Sequence, residues 1–159
     1  MNAIRIHQHG GRDQLRYEDV PEPKITSPSE VIVKLKAAAL NHIVIWTRLG
    51  LTGMAIPMPH IPGADGAGIV VQGGTDVKGV STGDKVCLYP FTGCGECEFC
   101  LTGRDFIMCI HIRSLGERLD GTYADYVKLP AENCFAVPRD LRSPKPLHFH
   151  SYSSRFGAC

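Results

Sequence analysis

The chain has 159 residues, with 17 basic and 16 acidic side chains and a formal charge of +1; the two signs are interleaved, which excludes a basic face for nucleic acid and an acidic tail. At 43% hydrophobic residues it can build one domain with a real core. No apolar run approaches the ~20 residues of a membrane span, and Met1-Asn-Ala-Ile-Arg lacks the apolar centre of a signal peptide, so the expectation is a cytoplasmic protein without membrane partners.

Ala3–His7 reads as a first strand, broken by Gly10-Gly11, with Leu15–Asp19 returning beside it as a hairpin. Pro21, Pro23 and Pro28 forbid regular structure in the next segment. Val31, Val33, Leu35, Ala37 and Ala39 then alternate with Ile32, Lys34, Lys36 and Ala38, a period of two that predicts a half-buried strand. Asn41–Leu49 can form a short helix ending at Gly50, although Ile43, Val44 and Ile45 are stiff at χ1 and weaken it. Gly63-Ala-Asp-Gly66-Ala-Gly68 leads into a buried strand through Val71, Gly83-Asp84 makes a turn, and Lys85–Tyr89 forms another strand. Further on, Gly121–Pro130 is a strand closed by proline and Cys134–Val137 is one more. Many short strands, frequent Gly and Pro, and almost no helical periodicity predict an all-β barrel or sandwich.

Between these strands lies an excursion carrying Cys94, Cys97, Cys100 and, after eight further residues, Cys109. Thiols at every third position, with a fourth close behind, can surround one point, as in a tetrahedral four-cysteine zinc site with sulfur bonds of roughly 2.3 Å and no vacancy for a substrate. Disulfides suit this spacing less well and need an oxidising compartment. An iron-sulfur cluster is the sharper alternative, since bacterial ferredoxins open with the same C-x2-C-x2-C run; they place their fourth cysteine after three residues and before proline, whereas Ile110 follows here. A catalytic zinc would call for His or carboxylate in the set and an open position.

The order of features resembles the N-terminal half of the zinc-type alcohol dehydrogenases, the medium-chain dehydrogenase/reductase family. The matching residues are Ala39-Leu40-Asn41-His42, Pro62-Gly63-Ala64-Asp65-Gly66-Ala67-Gly68, Gly83-Asp84-Lys85-Val86, the four cysteines, Gly121-Thr122-Tyr123-Ala124-Asp125-Tyr126 and Val137-Pro138. The resemblance implies a mainly β, GroES-like barrel over residues 1–141 with a zinc lobe at about 90–115, and structural zinc held by Cys94, Cys97, Cys100 and Cys109. The family spaces its last two ligands by seven residues; eight stand here, so one residue around Ile107 and Met108 bulges out. Family members with a catalytic zinc take a Cys at the position of Asn41, a His at that of Ala64, and a proton-relaying hydroxyl at that of Ile43. Those groups are missing, although Asp65 keeps the acid, so the resemblance is to the quinone oxidoreductase branch, in which NADPH reduces activated double bonds or quinones without a metal. No catalytic residue is assigned on this basis; Asn41, His42 and Asp65 are expected to line a substrate cleft. Val44 replaces a common acid, and Gly73 an apolar strand residue at a cost of roughly 0.5–1 kcal/mol.

Gly63–Gly68 runs G-x-x-G-x-G, not the G-x-G-x-x-G of a dinucleotide loop, and close backbone packing is its expected role. His7, His9, His60 and His111 show no ligand spacing and are expected in surface or loop roles; Cys87 and Cys134 are expected to behave as small apolar residues. From Arg142 to Cys159 the chain has no periodicity and no resemblance, which predicts a disordered tail. Codons for that stretch can be chosen so that another reading frame spells a family-like Leu-Thr-Gln-Ala-Ala-Ala continuation, consistent with a frame change near Leu141. Full-length relatives continue into a Rossmann domain that binds NAD(P)H and faces a small-molecule substrate across a cleft. No such domain is expected here, so the sequence predicts the truncated substrate-side domain of an NAD(P)-dependent oxidoreductase, inactive alone, with room for a homo-oligomer. A non-catalytic, zinc-stabilised interaction or assembly module is the alternative.

Overall fold

The structure, a computed structural model, describes residues 1–51, 53, 55–102 and 106–138, with no side chain described for residue 106. The predicted boundary at Leu141 and the tail at 142–159 lie outside them. The N-terminal hairpin forms as expected: strand β1 (Asn2–Arg5) pairs antiparallel with β2 (Arg16–Asp19), Ala3 facing Glu18 and Ile4 facing Tyr17. β1 stops at Arg5 because Ile6 bonds elsewhere: its amide and carbonyl both pair with the backbone of His60, each at 2.9 Å.

The remaining strands are β3 (Glu30–Ala38), β4 (Gly66–Gly73), β5 (Lys85–Leu88), β6 (Phe91–Thr92), β7 (Arg113–Ser114), β8 (Tyr126–Pro130) and β9 (Cys134–Ala136). Five of them form one antiparallel sheet in the order β8-β3-β4-β5-β9, curled as a half-barrel, while β6 and β7 pair only with each other. Strand pairing in every sheet is antiparallel, so the described residues hold no doubly wound parallel sheet. Val31, Val33, Val70, Val86, Leu115 and Leu129 meet in its core, each no more than 2% exposed. Burying one such side chain stabilises the fold by ~1.5–3 kcal/mol.

In β3 the alternation holds for Val31, Val33 and Leu35 against Lys34 and Lys36, but Ile32 is buried as well and Ala37 and Ala38 are exposed. A bulge between Leu35 and Ala37 shifts the register there. Of the glycine-rich stretch, Gly63–Asp65 is loop and Gly66–Gly68 opens β4 in close packing: Gly68 lies opposite Leu35, and a methyl group on it would sit 2.2 Å from the carbonyl oxygen of Lys34. Helix α1 (His42–Leu49) forms despite its β-branched run because both ends are capped. Asn41 Oδ1 accepts from the Ile43 amide at 3.1 Å, and Gly50 closes the C-terminus in the left-handed region at φ 78°. Val44 and Thr47 are buried, and Arg48 Nη1 donates to Gly10 O at 2.5 Å, which ties the helix to the hairpin. Among the described residues no helix is long and apolar enough to cross a membrane.

Candidate metal centre

The excursion that bears the cysteines is closed at its base by β6 and β7, with Phe91 opposite Ser114 and Thr92 opposite Arg113. Two residues per strand are too few to show a period, which is why the sequence did not reveal this ladder. Inside the lobe, Gly95 turns the chain at φ 80° in open space, and a single helical turn, α2 (Glu98–Leu101), follows Cys97. Just before Cys109, Phe106–Met108 winds into a 3-10 turn with the Ile107 and Met108 side chains exposed.

These turns bring the four sulfurs of Cys94, Cys97, Cys100 and Cys109 within 4.8 Å of one another. Cys97 Sγ lies 3.5 Å and Cys94 Sγ 4.0 Å from Cys100 Sγ, and all four cysteines are free thiols. Four sulfurs bound at ~2.3 Å to one tetrahedral ion would stand about 3.8 Å apart, so the observed spacing fits a single ion. Tetrahedral S4 donors suit zinc or iron, and among the described residues no imidazole or carboxylate belongs to the set. Backbone amides already point at the sulfurs: Cys94 N donates to Cys109 Sγ and Cys97 N to Cys94 Sγ, both at 3.3 Å. The Cys100 amide, with smaller help from neighbouring thiols, lowers the Cys97 thiol to about 7, and the Glu96 amide lowers that of Cys94. Cys100 is pushed up to about 11: the Gly95 amide pulls it down, but burial and the three adjacent sulfurs prevail. Thiols this close cannot all ionise unless a cation joins them.

The expected cleft residues stand on other elements. Asp65, 6% exposed, precedes β4, and Asn41 caps α1; Asn41 Nδ2 donates to Asp65 Oδ2 at 3.2 Å. The Asp65 carbonyl accepts from Ala39 N at 3.2 Å and Thr122 Oγ1 at 3.0 Å. His42 is exposed on the first turn of α1, its ring 6.2 Å from that of Trp46. Thus Asn41 and Asp65 meet, and His42 stands beside them in sequence but faces outward. Tyr123, not singled out by the sequence, adds a hydroxyl that donates to Ala39 O at 3.3 Å, and burial followed by the Asp65 charge pushes its pKa up. Burial of Tyr123 could not be read from a stretch that looked like plain strand. His60 lies in a loop, as expected, but not at the surface: it is 2% exposed, where its backbone pairs with Ile6. Burial lowers its pKa, which the Gly116 backbone and the Asp120 and Glu117 carboxylates oppose. Cys134 is buried as expected, and burial pushes its thiol up to about 12; Cys87 is half-buried.

Comparison with known proteins agrees with this architecture. The family model described as alcohol dehydrogenase GroES-like domain matches residues 27–139. An alcohol dehydrogenase of Geobacillus stearothermophilus is 37% identical over 128 residues, which cover 80% of this chain and 37% of that protein. A crystal structure of an NAD-dependent alcohol dehydrogenase superposes with a TM-score of 0.81 at 44% identity, over 89% of this chain and 41% of the other. A cobalt- and zinc-bound thermostable alcohol dehydrogenase from Pyrobaculum aerophilum gives a TM-score of 0.77 at 36% identity, over 89% and 43%. The chain therefore spans about two fifths of the length of these relatives.

Proposed function

The chain belongs to the family of alcohol dehydrogenase GroES-like domains, and we propose on that footing that it is the substrate-side domain of an NAD(P)-dependent oxidoreductase with a structural zinc at Cys94, Cys97, Cys100 and Cys109. The observation that carries this reading is an all-sulfur set within 4.8 Å, pinched off from the sheet by β6 and β7 and separate from the Asn41–Asp65 pair. Zinc bound there holds the lobe in shape and has no vacancy for a substrate.

The domain comprises residues 1–141, with the lobe at 90–115; the strands between Asn2 and Ala136 and the match at 27–139 support that extent. Asn41, His42 and Asp65 line the cleft for a small-molecule substrate. Asn41 offers an amide held by Asp65, and Ala64 carries a methyl where a histidine could have been a metal donor, which favours the quinone oxidoreductase style of chemistry. Hydride transfer in such an enzyme is supplied by a nicotinamide cofactor when bound; the part played by these residues is to bind and orient the substrate. The setting is cytoplasmic, and the 159 residues by themselves are expected to leave NADH and NADPH unoxidised.

Elemental analysis of the purified chain tests the metal: one zinc per chain, released together with titratable thiols by a chelator, is the expected result. A zinc-free preparation with reactive lobe thiols refutes it, and a brown colour with visible absorption favours iron. A second reading, an interaction or assembly module, is favoured by the apolar side chains on the lobe surface, Leu101 and Ile110 at 72% and Met108 at 59% exposure. Light scattering that finds a stable oligomer, lost on Leu101→Glu with Ile110→Glu, supports that module; a monomer across the concentration range rejects it.

A further inference from the structure

Strand β7 runs directly from the cysteine lobe into a strap, Leu115–Tyr123, that grips the loop carrying Asp65. At its near end Leu115 N donates to Pro90 O at 2.9 Å, and the Ser114 carbonyl accepts from the amides of Glu117, Arg118 and Leu119 at 3.3, 3.2 and 3.1 Å. Ser114 Oγ also donates to the buried Glu117 carboxylate. At its far end Gly121 N donates to Ile61 O at 2.7 Å, Thr122 N to Gly63 O at 3.0 Å and Tyr123 N to Pro62 O at 3.0 Å. Thr122 Oγ1 donates to Asp65 O, and Asp120 Oδ1 accepts from Ile61 N, both at 3.0 Å. The two backbones touch: a methyl group on Gly121 would sit 2.1 Å from Gly63 O, and one on Gly116 2.6 Å from the same atom. At Gly121 and Gly116 the strap meets the loop backbone to backbone, so a displacement there is passed on with little side-chain give.

We propose that Asp120 is a positioning residue: through this strap it makes the placement of Asp65 and Asn41 depend on a metal ion in the cysteine lobe. The inference rests on the metal reading of the four cysteines. Apart from the sulfurs, β7 is held to the base of the lobe by the two residue pairs of the β6–β7 ladder and by Leu115 N on Pro90 O. Gathering the four sulfurs around one centre fixes the lobe and with it the near end of the strap. At the far end the exposed Asp120 carboxylate accepts from the amide of Ile61 and lies 3.5 Å from His60 Nδ1, so removing it takes the protein partner from a part-buried amide and an acid from beside a buried histidine. Coupling of this kind is reciprocal: if the ion orders the strap, loosening the strap weakens the ion.

The test uses the full chain and cobalt(II) as probe, with thiolate-to-cobalt absorption for affinity and amide hydrogen exchange for order. Asp120→Ala is expected to bind cobalt about fivefold or more weakly. Asp120→Asn, which keeps the acceptor oxygen without the charge, restores affinity to within about twofold by the same coupling. In the wild type, chelation is expected to speed exchange at Gly121, Thr122 and Tyr123 at least about tenfold while Val33 and Val70 in the sheet stay protected. A chain that takes up no cobalt overturns the metal reading itself. Uptake with equal affinity in Asp120→Ala, or protection lost from strap and sheet together, leaves the metal in place and overturns the relay. Should Asp120→Ala not fold, the wild-type exchange comparison decides alone.

Discussion

Alanine at Gly68 and alanine at Gly73, two positions of the same strand β4, are expected to shift stability in opposite directions. On Gly68 the new methyl would lie 2.2 Å from Lys34 O, 2.9 Å from Lys34 C and 2.7 Å from Val33 Cγ1. Carbon contacts want ~3.5 Å or more, so the overlap is about 1 Å, and against backbone that no rotamer change can relieve. β3 and β4 must part where Lys34 faces Ile69 and Leu35 faces Gly68. Overpacking costs ~1–3 kcal/mol and a lost ladder hydrogen bond about 1 more, giving a loss of roughly 2–4 kcal/mol. At Gly73 the nearest atoms, Val77 Cγ2 at 3.5 Å and Val31 Cγ1 at 3.8 Å, are at ordinary contact distance. Alanine there is expected to gain ~0.5–1 kcal/mol by restricting the unfolded chain. In urea, with a slope of ~2 kcal/mol per M, the midpoint falls by about 1–2 M for Gly68→Ala and rises by about 0.3–0.5 M for Gly73→Ala, at unchanged slope. A wild-type midpoint for Gly68→Ala would mean that packing does not demand glycine there, and a ligand-cradling role for Gly63–Gly68 would have to be reopened.

Cys109→Ser, at a position 4% exposed whose sulfur accepts from the Cys94 amide, is expected to lose zinc on dialysis under conditions where the wild type keeps it; retained stoichiometric zinc would remove Cys109 from the ligand set. Because protons compete for thiolates, zinc affinity should fall as pH falls: with Cys100 pushed up to about 11, that thiol alone contributes about tenfold per pH unit through the neutral range, and chelator competition at two pH values that finds no change refutes this. His60 has its folded-state pKa lowered by burial, so the unfolded chain binds more protons as pH drops below the ordinary histidine value of about 6.5. Stability should therefore be full above that pH and decline below it, by at most ~1.4 kcal/mol per unit for one proton, and His60→Gln should flatten that limb of a urea-midpoint series; an unaltered limb assigns it to other groups. Asn41→Ala removes the N-cap of α1 at a cost of ~1 kcal/mol. It should also shift the emission of Trp46, the chain's sole tryptophan, at a lower denaturant concentration; coincidence with wild type argues that Asn41 does not hold the helix.

The hairpin, β3, α1, β5 and β9 were legible from local chemistry such as the alternation of Val33–Lys36, the glycine that ends the helix and the Gly-Asp turn before Lys85. The cysteine cluster was legible because its four thiols lie close in sequence, so spacing alone approximates geometry. What the sequence hid depends on contacts between distant segments. Ile6 abandons its strand for His60. Gly121–Tyr123 spend their amides on the Ile61–Gly63 loop, which delays β8 to Tyr126. The burial of His60 and the partnership of Asn41 with Asp65, 24 positions apart, likewise have no local signature. The expected roles of residues beyond 138 fall outside the described part of the chain.

Since Thr92 and Arg113 face each other as a ladder pair, the excursion departs and returns through a doorway one strand spacing wide, about 5 Å. Everything between them could in principle be cut out and bridged by a two-residue turn while the half-barrel behind keeps its pairing. The lobe is in that sense a detachable cassette, and a tight turn in its place would hold the doorway shut constitutively, where a metal ion would do so only when supplied.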